Sequence, residues 1–269
     1  MSMGGTGTGR ANGGRRGPIS FVGAGPGAPD LITVRGARLL GRADLVVWAG
    51  SLVNPELLEL TRPGCETLDS ARMTLEEVLD AMVRAYRAGG RVVRLHTGDP
   101  SLFGAIREQM DALAEQGVPF EVVPGVSSFS GAAAALSAEL TLPGVSQTVI
   151  LTRGAGRTSV PKGQSVRELA AHGATMCLFL SAGMLARVQA ELLEGGYGPD
   201  TPAAIVYKAT WPDERVVRCH VGSLAEAGRA AGIDRTAQIV VGGVLGDAYE
   251  RSRLYSPDFT TGYRTAHQG

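Results

Sequence analysis

The feature that most constrains this chain is the stretch Ile19-Ser-Phe-Val-Gly-Ala-Gly-Pro-Gly-Ala-Pro-Asp30. Its apolar start, Ile19 to Val22, reads as a buried strand. A loop holding Gly23, Gly25 and Gly27 follows, and helical periodicity runs from Leu31 through Leu39 and Leu40. Strand, glycine-rich turn and helix, in that order, present main-chain amides at the carboxyl edge of a parallel sheet, where open α/β proteins hold ligands.

The spacing of Gly23, Gly25 and Ala28 satisfies the loose dinucleotide fingerprint. Two facts weigh against it. Pro26 and Pro29 remove amide donors from the turn. The second apolar strand, Asp44 to Trp48, runs into Ala49-Gly50-Ser51, with no carboxylate placed for a ribose. A dinucleotide-dependent oxidoreductase, a tight turn with no ligand and a site for another small molecule all stay open at this point.

The rest of the chain supplies more loops of the same kind. Asn54-Pro55 is a helix start with Asn54 as cap, and Glu66–Leu68 forms a short strand. Met73–Arg87 has the apolar period of an amphipathic helix, with Thr74 and Glu77 as a capping box. Arg91–Leu95 is a strand leading into His96-Thr-Gly-Asp-Pro-Ser-Leu-Phe103, and a helix follows through Met110 and Leu113. Pro119–Val123 is a strand leading into Pro124-Gly-Val-Ser-Ser-Phe-Ser130 and an alanine-rich helix. Three strand ends thus carry Gly/Pro/Ser-rich loops, which makes a bound small molecule the leading reading.

The second half alternates less regularly. Strands are expected at Gln147–Thr152, Thr175–Leu180, Ala203–Tyr207, Arg215–Cys219 and Gln238–Val241, and helices near Ser165–Ala171, Gly183–Glu194 and Ser223–Ala230. A hairpin around Ala209–Glu214 predicts a mixed sheet. The expected organisation is a flexible leader at 1–17, an amino-terminal α/β domain at 18–140, a carboxyl-terminal α/β domain at 145–248 and a tail at 249–269.

Composition narrows the class. The 269 residues, 44% hydrophobic and 19% charged, suit a folded enzyme, and 26 basic residues balance 26 acidic ones. That balance gives no push toward nucleic acid or an acidic membrane, and no apolar run reaches spanning length. Cys65, Cys177 and Cys219 form no C-x-x-C pair, so neither a disulfide framework nor a zinc site is expected, and a reducing, cytoplasmic setting is. His96, His172, His220 and His267 lack metal-ligand spacing. The leader has no apolar core and does not read as a secretory signal.

Gly23-Ala-Gly-Pro-Gly-Ala-Pro-Asp-Leu-Ile-Thr33, Thr97-Gly-Asp-Pro100, Val123-Pro-Gly-Val-Ser-Ser128 and Tyr207-Lys-Ala-Thr-Trp-Pro212 occur in this order. Together they resemble the tetrapyrrole methylases of corrin and siroheme biosynthesis. Trp48–Pro55, Gln147–Arg153 with Gly156-Arg157-Thr158, and Tyr207–Arg215 are more similar to the corrin branch than to the siroheme one. Ser252-Arg-Leu-Tyr255, Phe259 and Gly262-Tyr-Arg264 resemble the aerobic-pathway form. The resemblance covers roughly Pro18 to Arg264. It implies two α/β domains with S-adenosylmethionine in the cleft between them, S-adenosylhomocysteine as product, no metal, a tetrapyrrole substrate and a homodimer.

Carried over by motif, it places Pro26, Gly98, Asp99, Leu102, Ser127, Ser128, Leu180, Ala209 and Ala237 at the cofactor, with Ser128 standing where relatives often have alanine. Asp99 then either recognises ribose or amino acid, supports the cation, or merely holds an Asx turn. His96 is expected to be a satisfied structural residue. The carboxylates of such a substrate call for arginines, and Arg153, Arg157 and Lys208 flank the motif segments. Tyr207 and Trp211 either stack on the macrocycle or belong to the core. Methyl transfer from a sulfonium asks for alignment and dryness rather than a nucleophile or a metal, which suits a chain without a recognisable triad or metal set.

Overall fold

The structure, a computed structural model, describes residues 17–266. The expected leader lies outside the described residues apart from Gly17, and so does His267. The first half contains β1 (Ile19–Gly23), α1 (Val34–Leu40), β2 (Leu45–Trp48), β3 (Glu66–Asp69), α2 (Leu75–Arg87), β4 (Val92–His96), α3 (Ile106–Glu115), β5 (Phe120–Val123) and α4 (Ser128–Leu136). Its sheet has the order β3-β2-β4-β1-β5, and every pairing in it is parallel.

Apolar runs on β1, β2 and β4 cover both faces, as a sheet sandwiched between helices requires. On one face Ile19, Phe21, Leu45, Val47 and Val92 pack against Val78 and Met82 of α2 and Leu113 of α3. On the other, Val22, Val46, Val93 and Leu95 meet Leu40 of α1 and Leu57 of a 3-10 turn capped by Asn54. The Thr74–Glu77 capping box forms and starts α2. The helix expected from Leu31 begins later. Pro29–Leu31 makes a separate 3-10 turn, and the Thr33 hydroxyl accepts from the Gly36 amide at 3.1 Å to begin α1.

The second half holds β6 (Val149–Arg153), α5 (Val166–Ala170), β7 (Thr175–Phe179), α6 (Leu185–Glu194), β8 (Pro202–Tyr207), β9 (Arg215–His220), α7 (Leu224–Ala230) and β10 (Ala237–Val241). The order is β6-β7-β10-β8-β9. β6 and β7 run parallel, while β10 runs antiparallel to β7 and β8, and β8 and β9 form the hairpin, so the sheet is mixed. β7 stops at Phe179 because Leu180 turns left-handed, with φ 52°. Helices α5, α6 and α7 cover one face through Val166, Leu185, Val188 and Leu224. The opposite face receives α4: Ala132 and Leu136 pack on Cys177, Ala204, Val206 and Val240. The sequence groups α4 with the first domain, yet its low alanine profile lets it lie on the second sheet. It thereby ties the two halves together, and Arg218 Nη2 donates to the Leu136 carbonyl at 2.7 Å.

Candidate functional site

Neighbouring strands β1 and β4 send their chains in opposite directions, β1 toward β2 and β4 toward β5. This is the switch point of an open sheet, where the carboxyl ends leave a crevice. Three loops meet there through glycines. Gly25 and Gly98 form an isolated bridge, with the Gly98 amide donating to the Gly25 carbonyl at 2.9 Å. A Cβ on Gly125 would stand 2.1 Å from the Gly98 carbonyl oxygen, and one on Gly23 would stand 2.5 Å from Gly125 Cα. Only glycine permits such an approach, so the junction is built from main chain.

Asp99 fastens the same junction. Its Oδ1 accepts from the Ser101 amide at 2.8 Å and from the Ser101 hydroxyl, and its Oδ2 accepts from the Gly125 amide at 2.9 Å. Burial raises the pKa of this carboxyl, but the donors from Ser101 and Gly125 together outweigh it and hold it below the ordinary value. The Asx-turn reading is therefore realised, and it extends to a brace between two loops.

The second half closes over the first loop. The Ala28 amide donates to Thr210 Oγ1 at 3.0 Å, and Trp211 Nε1 donates to the Pro26 carbonyl at 3.2 Å. A Cβ on Gly27 would lie 2.1 Å from Trp211 Cδ1, so the indole packs directly on this turn. Phe103 and Phe179 meet from the two halves with ring centroids 4.9 Å apart.

Between the halves lies a cavity of about 580 Å³, within the range of small-molecule sites. Pro26, Gly98, Asp99, Leu102, Ser127, Ser128, Leu180, Ala209 and Ala237 all line it, and so does Lys208. Arg153 and Arg157 do not. Arg153 donates to the carbonyls of Gly154, Thr158 and Ser159 and staples its own loop, while Arg157 is exposed on that loop. The lining also includes Phe103, the last residue of the second loop, and Phe179, Arg235 and Gln238, the last three of which carry no local motif. Their one sequence signal is position, at strand ends or in the strand beside Ala237.

Charges at the rim are paired. Lys208 Nζ bonds Asp213 at 2.7 Å, which raises its pKa, and sits 5.3 Å from the Trp211 ring centroid. Arg235 pairs with Asp234 at 2.8 Å. His96 is buried and stacked on Phe21, and burial, with the Arg94 guanidinium nearby, pushes it down to about 3. It is neutral and structural as expected, but not satisfied, since its Nε2 has no partner. Among the described residues no three His, Cys, Asp or Glu side chains are grouped to hold a metal. No helix among them is long and apolar enough to cross a membrane.

The backbone around the cavity is unusual. Of the seven non-glycine residues with positive φ among those described, Phe103, Leu180, Lys208 and Thr236 line it, and Ala105 and Thr210 lie in its loops. Each left-handed residue stores strain on the order of 1–2 kcal/mol.

The family model for tetrapyrrole (corrin/porphyrin) methylases matches residues 18–225. The chain is 49% identical over 251 residues to the cobalt-precorrin-4 C(11)-methyltransferase of Methanocaldococcus jannaschii, spanning 93% of this chain and 97% of that one. It is 45% identical over 247 residues to the precorrin-4 C(11)-methyltransferase of Pseudomonas aeruginosa, spanning 91% and 98%. The crystal structure of a cobalt-precorrin-4 methyltransferase superposes with a TM-score of 0.84 at 49% identity, covering 86% of this chain and 96% of that one. A uroporphyrin-III C-methyltransferase from Thermus thermophilus, complexed with S-adenosylhomocysteine, superposes with a TM-score of 0.71 at 32% identity, covering 85% and 99%.

Proposed function

The chain belongs to the tetrapyrrole (corrin/porphyrin) methylases, and from that premise we propose that it transfers a methyl group from S-adenosylmethionine to C11 of precorrin-4, giving precorrin-5, in cobalamin biosynthesis. We read the macrocycle as metal-free precorrin-4, with cobalt-precorrin-4 as the alternative. The observation that carries this reading is the cavity between the two sheets, where the three glycine-bearing loops meet Phe179, Leu180, Ala209 and Ala237 of the second half.

Such a lining suits S-adenosylmethionine. Pro26 and Pro29 withhold amide donors that a pyrophosphate needs, and Trp211 holds the first turn from the side, which leaves close, shaped backbone for a ligand without phosphates. Pro26, Gly98, Asp99, Leu102, Ser127, Ser128, Leu180, Ala209 and Ala237 are the residues that would hold it. When bound, it supplies a methyl group already activated on a sulfonium and leaves as S-adenosylhomocysteine. The chain's own work is alignment. The Asp99 brace fixes the second and third loops relative to each other, and the Thr210 and Trp211 bonds fix the first loop against the second half. Holding two reactants in line and excluding water lowers such a barrier by about 7–11 kcal/mol. Lys208 and Arg235, which line the cavity, are the cations we assign to substrate carboxylates, in exchange for their present partners Asp213 and Asp234.

We also read the protein as a homodimer of the cytoplasm. The exposed Tyr249, Tyr255 and Tyr263 near the carboxyl end support the first, and three free cysteines the second. Incubation with precorrin-4, or its cobalt form, and methyl-labelled S-adenosylmethionine, followed by carbon NMR, tests the assignment. A labelled methyl at C11 is expected. A label at another ring carbon, or calorimetry showing NAD(P)H bound in place of S-adenosylhomocysteine, would overturn it.

A further inference from the structure

Gln238 lies on β10 beside Ala237 and is 4% exposed. Ile239 and Val241 belong to the core under α5–α7, whereas Val240 packs toward α4, so by alternation Gln238 faces α4 as well. There the Ser128 hydroxyl donates to Gln238 Oε1 at 3.1 Å, a bond between the two halves. The other end of the carboxamide, Nε2, is enclosed and has no partner. Gln238, Ser128, Val206 and Phe179 all line the cavity. A buried amide without an acceptor is costly, and native proteins seldom keep one without a use.

We propose that Gln238 is a specificity-determining residue of the cavity. Its Nε2 donates to an acceptor atom on the adenosyl part of the methyl donor, and Ser128 holds the carboxamide in that orientation. The inference rests on the S-adenosylmethionine reading and goes beyond it by assigning one end of the ligand to one wall. A neutral amide beside Val206, in a cavity it shares with Phe179 and Ala182, suits a flat, neutral heterocycle whose edge needs a hydrogen bond. Nε2 is the half of the carboxamide that donates to an adenine ring nitrogen when glutamine reads adenine elsewhere.

The test is calorimetry on the full chain with S-adenosylhomocysteine and with 5′-methylthioadenosine, which lacks the amino-acid portion, alongside thermal unfolding without ligand. Gln238→Met is expected to bind both ligands about tenfold more weakly, with the ligand-free unfolding temperature unchanged or raised. Gln238→Glu keeps the acceptor for Ser128 but removes the donor, and is expected to lose affinity for both ligands as well. Three results would overturn the proposal: unchanged affinity in both variants, a loss confined to S-adenosylhomocysteine, or a destabilised ligand-free protein with affinity intact. A wild-type chain that binds neither ligand would defeat the cofactor reading itself, and this inference with it.

Discussion

Gly125→Ala is the sharpest single perturbation of the site. The added methyl would stand 2.1 Å from the Gly98 carbonyl oxygen and 2.7 Å from Gly23 Cα, where real Cβ contacts stay beyond 3.0 Å. Both obstacles are backbone, so neither can swing away as a side chain would. The loops after β4 and β5 must separate by about 1 Å, a displacement that costs on the order of a hundredfold in rate when it reaches a reacting pair. The overpacking itself costs about 1–3 kcal/mol of stability. That separation also stretches the bond from the Gly125 amide to Asp99, now 2.9 Å. Gly117→Ala is the control: it takes the same methyl at a positive φ, but with nothing within 4 Å of it. Urea unfolding, S-adenosylhomocysteine calorimetry and methyl-transfer kinetics on both variants measure the effect. If Gly125→Ala kept wild-type affinity and kcat/KM, the glycine junction would not be what shapes the cavity.

His96→Phe should keep methyl transfer and flatten the acid limb of stability. Its imidazole is held near 3 in the folded chain against an ordinary 6.5, so the unfolded chain binds the extra proton between those values. The contribution from His96 is complete above pH 6.5 and drains as pH falls toward 3, and urea midpoints across that range will show whether the slope goes with the residue. Thr210→Val leaves the Ala28 amide without its acceptor and should cost about 1–3 kcal/mol, read by urea unfolding, with weaker S-adenosylhomocysteine binding beside it. Arg235→Ala should raise the KM for precorrin-4 about tenfold, with S-adenosylhomocysteine affinity unchanged. Arg157→Ala, off the cavity, should change neither, and steady-state kinetics compares the two.

Much of the first sheet is legible because its strands are apolar runs punctuated by glycine, proline and serine loops, and because Thr74 and Glu77 announce α2 locally. The start of α1 was displaced by a cap at Thr33 that competes with the periodicity from Leu31. The seat of α4 could not be read from its alanines, since they specify a thin helix and not which sheet it lies on. The site divides in the same way. The loops carrying Gly98, Asp99, Ser127 and Ser128 stand out by composition, but their assignment to a cofactor came from resemblance. Arg153 and Arg157 adjoin motif segments in the chain, yet the turn after β6 aims one at its own carbonyls and the other at solvent. Gln238 and Arg235 were invisible, because their importance arises from partners more than a hundred residues away in one case and from the cavity's rim in the other.

The left-handed residues around the cavity set two kinds of selection against each other. Glycine at Phe103, Leu180, Lys208 or Thr236 would release conformational tension, and a heat-based screen would reward it. The same exchange would strip the wall of the side chains that give it shape. A thermal screen scored beside methyl transfer should therefore rank these four positions in opposite orders, and sturdier descendants of this chain would tend to be poorer catalysts.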